Sequence, residues 1–283
     1  MKNILVTGSN GQLGKALRLA SQNLNDFNFF FTDVEELDIT SDREINKFIS
    51  DNQINYIINC AAYTAVDKAE TDQDNAYLLN ATAVGYLAKH AKNHNAILIH
   101  ISTDYVFDGN SQVAYKETDL PNPNSFYGRT KHHAELKIDQ FTNNAVIIRT
   151  SWLYSEYGYN FVKTMIKLGN ERKALNVVND QFGSPTYAND LANVIIKLLY
   201  KKIEGVEIYN YSNEGSCTWY DFAKTIFNIK NIQCKLSPIT TKEYPTPAAR
   251  PQYSLLDKTK IKATLKIKIP DWKDSLKICL RNI

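Results

Sequence analysis

A tyrosine and a lysine four residues apart on a helix can share one proton-transfer task. Their side chains then lie on one face, a turn apart. A free phenol titrates at about 10, and a neighbouring ammonium stabilises its phenolate. Such a tyrosine can hand a proton to a developing alkoxide near neutral pH. The chain carries three pairs of this kind: Tyr127/Lys131, Tyr159/Lys163 and Tyr220/Lys224. With 17 tyrosines among 283 residues, spacing alone does not choose between them. Position does. Only Tyr127/Lys131 follows a strand-like run, Ala96 to Ser102, that continues into Thr103 and Asp104. Ligands of open parallel sheets lie at the carboxyl ends of the strands. Thr103 can therefore hydrogen-bond the carbonyl oxygen that Tyr127 protonates, while the other two pairs read as solvated helix faces.

A second chemical feature opens the chain. Gly8, Gly11 and Gly14 form GxxGxxG after the first apolar run and at the mouth of the first helical pattern. Glycine permits the tight turn, admits backbone close to a pyrophosphate and lets helix and strand pack closely. The helix start then offers free N–H groups to phosphate. Asp33 closes the second strand run, where a carboxylate can accept from adenosine ribose hydroxyls. It would repel a 2′-phosphate, and no nearby arginine offsets that, so NADH is favoured over NADPH. Asp38 and Ile39 follow on the next loop, within reach of an adenine.

These residues need a scaffold, and the first half supplies one. Near-continuous apolar runs at Asn3–Thr7, Asn28–Thr32, Tyr56–Cys60, Ala96–Ser102 and Ala145–Thr150 predict strands covered on both faces. Helical patterns at 12–24, 41–50, 74–94 and 125–141 lie between them. That order predicts an α/β fold with a doubly wound parallel sheet over residues 1–150. Residues 151–283 read mainly as a smaller mixed α/β domain, with some later segments returning to the first. Helices are expected at 159–168, 189–200, 218–229 and 271–282, and a strand at Glu207–Tyr211. Pro238, Pro245, Pro247 and Pro251 crowd one stretch that should be loop.

Bulk properties exclude other classes. A net charge of +3 without a basic stripe argues against a nucleic-acid partner. The apolar stretch before Thr7 is too short for a signal peptide, and no later run could span a membrane. Cys60, Cys217, Cys234 and Cys279 are scattered with no CxxC pair, which fits a reducing, cytoplasmic setting. Cys60 should be a buried free thiol. His90 and His94 have metal-ligand spacing but no HExxH glutamate and no third ligand, so they read as a solvated helix end and no metal site is expected. His132 and His133 adjoin Lys131 but point different ways. Trp219, Tyr220 and Phe222 begin an amphipathic helix behind Thr218 and should fill a core.

Longer strings carry a family resemblance: NCAAYTAVDKAE from Asn59, STDYVFDG from Ser102, YGRTK from Tyr127, RTSWLY from Arg149, NDQFGSPT from Asn179 and YPTPAARP from Tyr244. With GxxGxxG, a strand-end Ser/Thr and YxxxK in this order, the chain resembles the extended short-chain dehydrogenase/reductases. Within them it is similar to the dTDP-4-dehydrorhamnose reductase family, from the first strand to the final helix. The resemblance implies a Rossmann-like fold, NADPH or NADH as cofactor, and reduction of the C4 ketone of dTDP-4-dehydro-6-deoxy-L-mannose to dTDP-L-rhamnose, the last step of dTDP-rhamnose biosynthesis. It makes Tyr127 the acid, Lys131 its electrostatic partner and ribose clamp, and Thr103 the orienting hydroxyl. Gly11, Gln12, Leu13, Asp33, Asp38, Ile39, Ala62, Tyr63 and Thr64 match cofactor contacts. Asp104 and Trp152 match sugar-nucleotide contacts. Arg250 is read either as a diphosphate partner or as a surface salt bridge. Some family members dimerise through magnesium held by glutamates; Ala16 and Asn189 stand at those positions, so a monomer or weak homodimer is expected. Two other readings share the fold. One is a nucleotide-sugar epimerase or dehydratase; the other is a non-catalytic subunit related to the regulator of methionine adenosyltransferase. Asp104-Tyr105 lacks a dehydratase's acidic pair, and Thr103, Tyr127 and Lys131 together argue for catalysis.

Overall fold

A computed structural model describes residues 1–283. The first half alternates β1 (Lys2–Thr7), α1 (Gln12–Ala20), β2 (Phe27–Phe31), α2 (Asp42–Asp51), β3 (Ile54–Asn59), α3 (Gln73–Tyr77), α4 (Ala83–Asn93), β4 (Ile97–Thr103), α5 (Phe126–Phe141) and β5 (Asn144–Thr150). The second half adds β6 (Leu153–Tyr154), α6 (Phe161–Glu171), β7 (Ala174–Val178), β8 (Phe182–Gly183), β9 (Thr186–Tyr187), α7 (Ala188–Leu198), β10 (Gly205–Tyr211), β11 (Cys217–Thr218), α8 (Trp219–Lys230), β12 (Lys235–Ile239), α9 (Thr259–Leu265) and α10 (Trp272–Arg281).

Six strands form one parallel sheet in the order β10-β5-β4-β3-β1-β2. Both faces are covered, which explains the unbroken apolar runs. Ile45, Ile49, Leu87 and Ile138 from α2, α4 and α5 pack one face against Leu5, Ile57 and Leu98. Leu13 and Leu17 of α1 and Leu191 and Ile195 of α7 pack the other against Ile4, Val6 and Ile58. From β1 the chain steps out to β2 and then back past it to β3. The crevice between the ends of β1 and β3 is therefore the switch point at which such sheets take ligands.

The later segments divide their loyalty. β10 pairs with β5 along its whole length and α7 lies on α1, so both complete the first layer. A separate core, with Val162, Phe222, Trp272 and Leu276 at its centre, unites α6, α8 and α10. Side-chain caps set several helix starts: Ser125 accepts from Gly128 N–H at α5, and Thr218 and Asp221 form a reciprocal capping box at α8.

Several expectations need correction. The predicted helix over 74–94 is interrupted by a wide π-type turn at Leu78–Thr82. The turn aims Asn80 inward, where its amide brackets the Tyr63 backbone (N–H donor 2.8 Å, carbonyl acceptor 3.0 Å) and donates to Thr130 Oγ1 at 3.0 Å. Pro238 lies in β12 rather than in loop. That strand has β7 as its single neighbour, so half its N–H groups face no ladder and a proline fits. His90 is buried, not solvated: its Nε2 lies 2.9 Å from Asp42 Oδ1, tying α4 to α2. Tyr159 precedes α6 and is 99% exposed, so it shares no helix face with Lys163. No helix is long and apolar enough to cross a membrane.

One polar contact fastens α5 to the sheet. Arg149 on β5 forks onto Glu135, Nε to Oε1 at 3.0 Å and Nη2 to Oε2 at 2.7 Å, and Ser102 Oγ donates to Oε1 at 2.6 Å. Burial pushes the Glu135 carboxyl up, but His132, the Arg149 fork and Ser102 together outweigh it and hold it at about 2. Its contribution to stability is thus complete above the ordinary carboxylate value and is lost as pH falls towards about 2. Arg149→Met, which strands a buried carboxylate, should cost about 3–5 kcal/mol in denaturant unfolding near neutral pH. The deficit should shrink in acid, where Glu135 protonates in the variant. An equal deficit at every pH would contradict this role for the pair.

Candidate active site

A single cleft of about 990 Å³ crosses the carboxyl ends of the strands. Gly8, Gly11, Gln12, Leu13, Asp33, Asp38, Ile39, Ala62, Tyr63, Thr64, Thr103, Asp104, Tyr127, Lys131 and Trp152 all line it. Gly14 and Arg250 do not.

At the β1 end, Gly8 adopts φ +64°, and a Cβ there would sit 2.6 Å from Ala61 N. Only glycine lets the two loops approach this closely. Gly14 is buried, and a Cβ on it would meet Ser9 Cα at 2.5 Å, so it serves loop-to-helix packing. α1 begins at Gly11 with no side-chain cap, leaving its first N–H groups to the cleft. The cradle therefore fits a pyrophosphate. Asp33 is fixed beside it, Oδ2 accepting from Asn10 N–H at 3.0 Å and Oδ1 from Val34 N–H at 2.9 Å. Lys131 is the only cation among the lining residues.

Tyr127 and Lys131 come to the middle of the cleft from the first turns of α5. Burial pushes the Tyr127 phenol up to about 12; Thr103 opposes this and the Asp104 carboxylate adds to it. Lys131 is absent from these influences, contrary to the sequence reading, because its amine turns away. Nζ donates to Ile101 O at 2.6 Å and lies 3.1 Å from His100 Nε2. Burial brings Lys131 down to about 8, against the pull of Glu135 and Cys60. Thr103 Oγ1 accepts from Tyr105 N–H at 3.2 Å and donates to Asp104 Oδ1 at 3.0 Å. Burial raises Asp104 to about 6 against the hydroxyls of Ser254 and Thr103, and its Oδ2 makes no hydrogen bond of good geometry. An unpartnered buried acceptor beside Thr103 and Tyr127 is poised to take a ligand hydroxyl.

The far end is aromatic. Trp152 sits at φ +49°, a strained conformation for a bulky side chain, and stacks on Trp219 at 3.6 Å between centroids. Gly183 makes room: a Cβ there would reach 2.5 Å from Trp152 Cε2. Trp219, expected in the core, packs against it half-buried and also lines the cleft, while Phe222 behind it is fully buried. Arg250 lies outside, its Nη2 donating to Asp67 Oδ2 at 2.8 Å with Nη1 buried and unpartnered. Cys60 is half-buried on the cleft wall, its thiol pushed up to about 12 by burial. Sequence reasoning missed His100, Asn59, Trp219 and the Glu135–Arg149 pair. The signal was present for two of them, since His100 and Arg149 interrupt otherwise apolar strand runs.

The whole chain, residues 1–283, matches the family model described as RmlD substrate binding domain. A dTDP-4-dehydrorhamnose reductase of Aggregatibacter actinomycetemcomitans is 42% identical, the match covering 98% of each chain. The chain belongs to this reductase family. A crystal structure of a dTDP-4-dehydrorhamnose reductase from Clostridium acetobutylicum superposes with a TM-score of 0.95 at 43% identity, over 99% of this chain and 98% of that one. The Bacillus anthracis reductase, solved in complex with NADP, gives 0.95 at 40% identity over the whole of both chains. Epimerase and dehydratase structures at 18% identity share the fold alone. The Rossmann-like sheet expected from the reductase resemblance is the one observed.

Gly14→Ala should overpack the loop, destabilising by about 1–3 kcal/mol. It should also weaken NADH binding at least about tenfold in a fluorescence titration, since the cradle's shape depends on that approach. Wild-type affinity in the variant would sink the assignment of the cradle.

Proposed function

We propose that this reductase converts dTDP-4-dehydro-6-deoxy-L-mannose to dTDP-L-rhamnose, using NADH or NADPH. The observation that carries the reading is the continuity of the cleft. A phosphate cradle, a buried acid with its orienting hydroxyl, and a tryptophan platform occur in that order along one opening. The bound dihydronicotinamide supplies the hydride. Tyr127 then gives its phenolic proton to the C4 oxygen as charge develops there, and Thr103 orients that oxygen. A phenol kept protonated by burial is the form this direction of reaction needs. Lys131, as an ammonium, holds the ribose and, once drawn from Ile101 O towards the cleft, favours the phenolate left behind.

The remaining assignments follow the same line. Gly8, Gly11, Gln12, Leu13 and Gly14 frame the diphosphate; Asp33 takes the adenosine ribose; Asp38, Ile39, Ala62, Tyr63 and Thr64 flank the rest of the dinucleotide. Asp104 Oδ2 receives a sugar hydroxyl, and Trp152 stacks on the sugar nucleotide. The partnerless Nη1 of Arg250 supports a role towards the substrate diphosphate once the arm swings from Asp67. Residues 1–150, joined by α7 and β10, act as the dinucleotide lobe, and most of 151–283 as the substrate lobe. A monomer or weak homodimer is the working form. Ala16 is enclosed in the core and offers no ligating atom, which is what supports a form without the glutamate-held metal bridge; the Asn189 NH2 donates to Glu156 and Tyr187.

Tyr127→Phe should lower turnover at least about a hundredfold, read as loss of NADH absorbance with the enzymatically generated keto-sugar. Full activity in that variant would overturn the assigned acid. Wild-type enzyme should prefer NADH, and Asp33→Ser should raise kcat/KM for NADPH relative to NADH by about tenfold, the size of a modest charge repulsion. An unchanged ratio would mean that Asp33 does not face the 2′ position.

A further inference from the structure

At the back wall of the cleft a line of buried polar side chains, Thr7, Asn59, His100 and Lys131, crosses three strands to α5. Thr7 Oγ1 donates to Asn59 Oδ1 at 2.7 Å, and Ala61 N–H donates to the same oxygen at 3.2 Å. Asn59 therefore turns its NH2 towards His100, and Nδ2 lies 3.1 Å from Nδ1 of that ring. A donor facing Nδ1 needs a lone pair there, so the proton of a neutral imidazole sits on Nε2. His100 is fully buried, and burial followed by the Lys131 charge drives its protonation well below the ordinary histidine range.

That tautomer points an N–H at Lys131 Nζ, 3.1 Å away. An ammonium has three hydrogens and no lone pair, so it would meet this N–H donor to donor. A neutral amine accepts from Nε2–H while donating to Ile101 O, and satisfies every atom in the line. Of the other groups around it, Glu135 of α5, although committed to Arg149 of β5, still favours the Lys131 ammonium; the Cys60 thiol is held neutral by burial, and Tyr127 and Asp104 border the cleft side.

We propose that Asn59, acting through the His100 tautomer, is a positioning residue that couples the charge of Lys131 to the hydrogen-bond direction of the whole line. With the Nε2–H tautomer Lys131 is an amine. For Lys131 to gain a proton from solvent, the imidazole proton must pass from Nε2 to Nδ1 and the Asn59 amide must turn over. Oδ1 then accepts from Nδ1–H, Nε2 accepts from the ammonium, Thr7 Oγ1 turns to accept from Asn59 Nδ2, and Ala61 N–H is released. The histidine gains no net proton. This deepens the reductase reading, in which the ammonium is the working form of Lys131.

The test uses ligand-free, full-length protein with isotope-labelled histidine, whose five residues are resolved by long-range nitrogen–proton correlation. His100 is assigned by the signal missing from His100→Gln. The expected result is an Nε2–H ring in mildly alkaline buffer that exchanges for Nδ1–H as pH falls, without passing through the imidazolium. One nitrogen protonated throughout would overturn the coupling. Asn59→Asp, which offers acceptors only, should lock Nδ1–H at all pH values. It should also move the high-pH fall of kcat/KM upward by about one unit or more. A fall at the wild-type pH in that variant would also overturn it. The wild-type spectrum decides even if Asn59→Asp does not fold. Lys131→Met keeps the two readings apart: undiminished turnover there would remove the catalytic reading, while the wild-type tautomer exchange would still decide the coupling.

Discussion

Glu135 and Arg149 exchange two short charge-assisted bonds in the interior, and the placing of α5 follows from them. The helix carries both Tyr127 and Lys131, so any rotation about its axis shifts both side chains together relative to the cleft. Apolar packing alone sets a helix on a sheet with some tolerance for sliding; a bidentate fork tolerates far less. Ser102 completes the fork from β4, next to Thr103. Tyr127 and Thr103 are thus indexed to each other through the same buried carboxylate.

Burial then does two opposed things around that helix. It raises Tyr127 and Asp104 and lowers Lys131 and His100, so every group moves towards its neutral form. The charges that Asp104 and Lys131 keep near neutral pH act in a medium where each interaction counts for more than in water. The arrangement suits a reaction in which a proton and a hydride reach one carbonyl together.

Much of this was legible in the sequence, for reasons tied to particular residues. The strand runs were unbroken because both faces of the sheet are covered, and the glycines had to stand where backbones meet. Thr103 and Tyr127 could be paired because strand ends and the following helix converge in any sheet of this kind. What stayed hidden depends on contacts between distant segments. Pro238 reads as loop until β12 is known to be an edge. Trp219 reads as core until Trp152 is seen stacked against it. The turning away of Lys131 is set by His100, a strand residue whose side chain the i, i+4 spacing could not foresee. The return of β10 to the main sheet is likewise invisible to periodicity, because strand order is a property of the whole chain.

The Gln12 amide is one of the polar links between the two halves, as the Arg250–Asp67 pair is another. Its Oε1 accepts from Ser155 Oγ at 3.0 Å and from Asn160 Nδ2 at 2.9 Å, both in the segment that follows Trp152. Gln12 is also the first residue of the helix whose start frames the glycine cradle. A shift of α1 on binding an anion there would be felt in the loop beside Trp152. Where two positions are coupled in this way, their free energies of binding are reciprocal.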